Sequence, residues 1–124
     1  MNLSVYYVDA FTDKLFSGNP AAVIFSDLTD TLTMQNIAAE NNLSETAFIR
    51  EEGGIYHIRW FAPSCEIDLC GHATLASAYT YFNFINPGST ELEVHSTKNG
   101  SLKVILENDF LFLDFPADSL NTLN

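Results

Sequence analysis

The sequence predicts an α+β fold in which a curled, mostly antiparallel β-sheet wraps around one central helix. Three observations carry this. The segment from Gly71 to about Phe84 has helical spacing of apolar residues and no charge around its circumference, so it demands cover on every side. Seven short segments rich in β-branched and aromatic residues surround it in the sequence, separated by turn residues. The chain has 124 residues, enough for one core and not two.

Leu3–Val8 reads as the first strand, and Phe16-Ser17-Gly18-Asn19-Pro20 as a turn before a second, Ala21–Phe25. Thr33 is a suitable N-cap for a helix from Met34 to about Asn41, with Met34, Ile37 and Ala38 on one face. Ser44–Arg50 is extended, Gly53-Gly54 supplies a hairpin turn, and Ile55–Phe61 is the clearest strand. In it Tyr56, Ile58 and Trp60 share one face while His57 and Arg59 share the other. Pro63 ends it. The central helix follows and stops at Asn86-Pro87-Gly88. Three strands remain, Glu91–Ser96, Leu102–Glu107 and Phe110–Phe115, turned by Asn99-Gly100 and Asn108-Asp109. The smaller helix is expected outside the sheet.

Composition excludes several functions. Five Lys and Arg against sixteen Asp and Glu give a net charge of −11, which opposes binding to nucleic acid or to an anionic membrane surface. No apolar run approaches the roughly 20 residues needed to span a bilayer, and the start carries no secretory signal, so a cytoplasmic location is expected. Two cysteines five residues apart and three scattered histidines predict neither a disulfide nor a metal site. No phosphate-cradling Gly-rich motif is present, and no cofactor is expected.

Three segments could carry chemistry. Asp68-Leu69-Cys70-Gly71-His72-Ala73-Thr74 opens the central helix, where unpaired N–H groups and the helix dipole favour a carboxylate. There Gly71 permits close approach, His72 adds a ring N–H, and the helix field would favour a Cys70 thiolate. The plain alternative is a core histidine, a small buried cysteine and an Asp68 helix cap. Asn42-Leu43-Ser44-Glu45-Thr46-Ala47 places an acid beside an apolar strand, as a general acid/base or as an ordinary surface Glu. Gly18-Asn19-Pro20 offers the Asn19 amide to a substrate, or merely shapes a turn.

In this order the motifs resemble the phenazine biosynthesis PhzF-like family. The matching stretches are Val8-Asp9-Ala10-Phe11-Thr12, Gly18-Asn19-Pro20-Ala21-Ala22-Val23, Leu43-Ser44-Glu45-Thr46-Ala47-Phe48, Arg59-Trp60-Phe61-Ala62-Pro63 and Glu66-Ile67-Asp68-Leu69-Cys70-Gly71-His72-Ala73-Thr74. Leu113-Asp114-Phe115-Pro116-Ala117 resembles the end of that family's first half. The resemblance implies one half of a diaminopimelate epimerase-like fold over residues 1–117, with 118–124 resembling the start of an interdomain linker. It implies a cofactor-independent isomerase that moves a proton on a small organic acid. Glu45 would be the acid/base, with Asn19, Ser44, Cys70, Gly71 and His72 lining the substrate pocket. Cys70 falls where related epimerases carry a catalytic thiol. Nothing in the chain matches the family's second-half motif. The expected site is therefore completed by a homodimer partner or by a missing C-terminal half. The other reading is a non-catalytic small-acid-binding or dimer-forming half-protein.

Overall fold

The computed structural model describes residues 4–8 and 20–114; Asn19 and the 118–124 tail lie outside this range. The described residues form eight strands: β1 Ser4–Val8, β2 Ala21–Phe25, β3 Glu45–Glu52, β4 Ile55–Phe61, β5 Glu66–Ile67, β6 Glu91–Ser96, β7 Gly100–Glu107 and β8 Phe110–Asp114. Helix α1 spans Thr31–Asn41 and α2 spans Gly71–Thr80. The sheet order is β1-β2-β3-β4-β6-β7-β8, with β5 paired to β4 off this path. Only β2–β3 and β4–β6 run parallel; the other pairs are antiparallel, as expected. Both terminal strands of the path, β1 and β8, pack against α2, so the sheet curls around that helix.

The two faces of the sheet have separate cores. The inner face sends Val23, Ala47, Ile49, Ile58, Trp60, Val94 and Val104 into a cluster with Ala73, Ala76 and Ala78 of α2. The alternating pattern of β6, exposed then buried, is that of a strand with one wet face. The outer face sets Ile24, Phe48 and Phe61 beneath Met34 and Ala38 of α1. Phe48 and Phe61 meet edge-to-face with ring centroids 5.5 Å apart.

Four expectations are corrected. The cap of α1 is Asp30, not Thr33, and the helix begins three residues earlier than Met34. Asp30 Oδ2 accepts from the Thr33 backbone N–H at 2.9 Å and from its hydroxyl at 2.5 Å, so Thr33 is the capped residue. The cap of α2 is Cys70 and not Asp68. The central helix is α-helical only to Thr80; Tyr81–Ile85 continues as a π-helical turn, closed by Asn86 N–H donating to the Tyr81 carbonyl at 2.8 Å. Finally, α2 is not covered all round. Leu75 is half-buried and Tyr79 is 43% exposed, because this stripe faces the open side of the curl beside β8.

Buried polar groups on α2 are satisfied locally. The hydroxyls of Thr74, Ser77 and Thr80 donate to the carbonyls of Cys70, Ala73 and Ala76 at 2.7, 2.8 and 3.0 Å. With each hydroxyl bonded one turn back, the short polar side chains on the buried face of α2 sit inside the sheet without stranding a donor.

Candidate functional site

The site is built where β3 starts and α2 starts. Side chains alternate along β3, so Glu45 lies on the same face as Ala47 and Ile49, the face that packs on α2. Glu45 is thus the first inner-face position of its strand, and it is half-buried. Its neighbour in the sheet is Ala21 of β2.

Across from it, Cys70 caps α2 with extended backbone, and its Sγ accepts from the Ala73 N–H at 3.4 Å. The His72 N–H also acts on this sulfur. The Glu45 carboxylate is within hydrogen-bonding reach of the same thiol. Burial pushes the Cys70 thiol above its ordinary value of 9.0, and the Glu45 charge adds to this, outweighing the two backbone amides. The expected thiolate is therefore corrected: the helix field is present but weaker than desolvation plus a facing carboxylate. Burial and the facing Glu45 carboxylate thus favour the protonated sulfur.

Four of the six sequence-expected residues converge here. Glu45 and Cys70 face each other, and Gly71 and His72 form the first turn of α2, both half-buried. Ser44 is exposed and immediately precedes β3. Asn19 lies outside the described residues, two positions before the Ala21 that pairs with Glu45.

Sequence reasoning missed the supports. Trp60 Nε1–H donates to Thr74 Oγ1 at 3.0 Å, and that hydroxyl donates to the Cys70 carbonyl at 2.7 Å. The strand β4 thereby fixes the residue that caps α2. On the other side Asn99 Nδ2 donates to the Asp68 carbonyl at 2.7 Å, and Lys98 Nζ pairs with Asp68 Oδ1 at 2.7 Å. The β6–β7 turn thus clamps the segment leading into the helix. The only available signal was the Asn99-Gly100 turn itself, whose partner some thirty residues away no local pattern reveals.

Chemically, the arrangement offers a carboxylate, a thiol and a helix N-terminus within one small region. The first can exchange a proton, and the last can hold an anion. Among the described residues no three His, Cys, Asp or Glu side chains gather as a metal set, and no helix is long and apolar enough to cross a membrane.

Comparison with known proteins agrees with the fold. A family model described as phenazine biosynthesis-like protein, PhzC-PhzF, matches residues 8–112. An uncharacterised isomerase of Pseudomonas aeruginosa is 49% identical over 118 residues, covering 94% of this chain and 45% of that protein. The crystal structure of a PhzF-family phenazine biosynthesis protein from Enterococcus faecalis superposes with a TM-score of 0.84 at 49% identity, over 94% of this chain and 45% of that one. A predicted epimerase from Pseudomonas aeruginosa, 20% identical, shares the fold with a TM-score of 0.69 over 90% of this chain and 42% of its own. The chain therefore spans a little under half the length of the relatives it matches. With the family model covering most of the chain and these identities alongside it, the chain belongs to the phenazine biosynthesis-like PhzC-PhzF family.

Proposed function

We propose that this chain is the glutamate-bearing half of a cofactor-independent isomerase that moves a proton on a small organic acid. The observation that carries the reading is the meeting of Glu45 with Cys70 and the first turn of α2. In this reading the Gly71 amide and the field of the first turn of α2 hold a substrate carboxylate beside the Cys70 sulfur, which itself occupies the Ala73 amide. Glu45 then takes a proton from the adjacent carbon and returns it elsewhere on the substrate. His72 and Ser44 flank the carboxylate, and Asn19 is assigned to the same pocket on the family resemblance alone. The second wall comes from another body, either the further length that the relatives carry or a second copy of this chain. The names of the relatives, isomerases of unassigned substrate among them, support the reaction class.

The test is deuterium uptake from heavy water into a panel of small carboxylic acids, followed by NMR over a range of protein concentrations. Wild type should exchange, and Glu45→Gln should lose roughly 100-fold or more, the scale of one acid/base group. Activity rising with the square of concentration, alongside a dimer by light scattering, assigns the second wall to another copy. Restoration only by an added second-half polypeptide assigns it to that half. Exchange unaltered in Glu45→Gln would overturn the assignment of Glu45.

A further inference from the structure

A second cleft, of about 480 Å³, lies away from Glu45, on the sheet's outer side where the sheet forks. Strand β4 pairs with β6 only through Tyr56 and His57, and with β5 only through Trp60 and Phe61. Ile58 and Arg59 stand between the two branches, and the cleft opens there. Its volume falls in the range of small-ligand sites.

The cleft gathers charge against the trend of the whole molecule. Three of the five cations of the chain, Arg50, Arg59 and Lys98, line it, with two of its three histidines. Arg50, His57 and His95 occupy one continuous cross-strand row over β3, β4 and β6. The two imidazoles meet edge-to-face with centroids 5.8 Å apart. Each cation has a carboxylate partner: Arg50 with Glu52 at 2.6 Å, Arg59 with Glu66 at 2.8 Å, Lys98 with Asp68 at 2.7 Å. The fixed charge of the cleft is thus balanced, in a chain of net −11. The pairs differ in strength. Arg59 grips Glu66 through two nitrogens, both at 2.8 Å, and is committed. Arg50 holds Glu52 through one nitrogen, and the Glu52 side chain is 71% exposed. Such a surface pair is readily exchanged for a better anion.

We propose that this fork binds a small phosphoryl dianion, free phosphate or pyrophosphate in type, between the Arg50 guanidinium and the imidazoles of His57 and His95. The guanidinium fork suits paired phosphoryl oxygens. The imidazoles add ring N–H donors beside it. The charged groups facing the row are Glu52 from β3, Arg59 from β4, Glu66 from β5, Glu93 from β6, and Asp68 and Lys98 from the loops beyond β5 and β6.

The experiment is an NMR titration of the full chain with inorganic pyrophosphate, following the histidine imidazole and backbone amide signals. Saturable shifts of both His57 and His95 are expected at neutral pH. Arg50→Gln should weaken binding about tenfold, the scale of one charge-assisted contact. Glu52→Gln should tighten it, which separates a lost site from a damaged fold. Glu45→Gln should leave it unchanged. Linear shifts without saturation, shifts confined to the amides of residues 71–73, or unchanged affinity in Arg50→Gln would each overturn the proposal. So would shifts produced only by anionic lipid vesicles.

Discussion

Trp60 and Thr74 are joined by a hydrogen bond of 3.0 Å between the indole N–H and the threonine hydroxyl, both residues being essentially inaccessible to water. The bond ties the central strand to the central helix one turn past Cys70. Thr74 Oγ1 donates in turn to the Cys70 carbonyl, which also accepts from the Thr74 backbone N–H at 3.1 Å, so removing the hydroxyl strands the indole N–H alone. Thr74→Val keeps the β-branched shape but leaves the indole N–H unpaired. We expect a loss of about 1–3 kcal/mol, the cost of one unsatisfied buried polar group, read from the urea midpoint. Thr74→Ser, which keeps the hydroxyl, should recover much of it. An unchanged midpoint in Thr74→Val would show that the bond has no structural weight.

The raised Cys70 thiol has a consequence at alkaline pH. Its proton is held more tightly folded than unfolded, so the folded state binds more protons above the ordinary thiol value of 9.0. The associated stability is complete below that value and is lost as pH rises toward the folded value. In a Cys65→Ser background, Cys70→Ala should flatten the alkaline fall in stability. In the same background, iodoacetamide should modify Cys70 more slowly than a free thiol. Glu45→Gln should speed that reaction by removing the facing charge. The exposed Cys65 serves as the fast-reacting reference in wild type.

Much of the fold was legible because its elements are locally consistent. The strands β2, β4 and β6 coincide with their sequence expectations, each bounded by turn residues and rich in β-branched or aromatic side chains. The expected placement of the smaller helix outside the sheet is borne out by Met34 and Ala38 resting on Phe48 and Phe61. The two-residue β5 was not legible. It exists because it pairs with Trp60 and Phe61, and two residues carry no periodicity. The switch to a π-helical turn at Tyr81 was equally hidden, since its residues still read as a helix. At the site, the motif resemblance marked Glu45 and the Cys70–His72 turn where spacing alone left them as an ordinary surface acid and core residues, and the approach of Glu45 to the thiol is a product of tertiary packing. The sign of the Cys70 shift depends on that contact and on burial, neither of which the helix N-terminus alone discloses.

The acid limb of stability should depend on Arg59 and Glu66. Two nitrogens of Arg59 hold Glu66, and one of them also donates to Thr31 Oγ1 at 3.0 Å, linking β4, β5 and the start of α1. The Arg59 hydrogen bonds hold the Glu66 carboxyl below its ordinary value. A depressed carboxylate contributes stability above its unfolded value, and that contribution is lost as pH falls through the folded one. Both side chains are about one-third exposed, so solvent screening keeps the contribution to about 1 kcal/mol or less. Arg59→Lys, which cannot make the paired contact, should lose most of it and raise the acid-unfolding midpoint. Equal acid midpoints for the two proteins would show the pair to be idle.

The β7–β8 hairpin is connected by Asn108 and Asp109, with φ of 52° and 69°. Two successive left-handed residues match the twist of the flanking strands, and this is the geometry in which Asn-Gly is the favoured pair. Asn tolerates the first position through its local hydrogen bonding, but Asp at the second retains a Cβ that glycine lacks. Asp109 also adds a negative charge to a chain already at −11, two residues from Glu107. Asp109→Gly removes both penalties, while its extra freedom when unfolded offsets part of the gain. We expect a net stabilisation of about 0.5–1 kcal/mol, seen as a higher urea midpoint with unchanged slope. Asp109→Ala should destabilise instead, because the Cβ strain stays and the polar side chain is gone. If both substitutions moved the midpoint upward together, charge would be the governing effect and the backbone conformation would not.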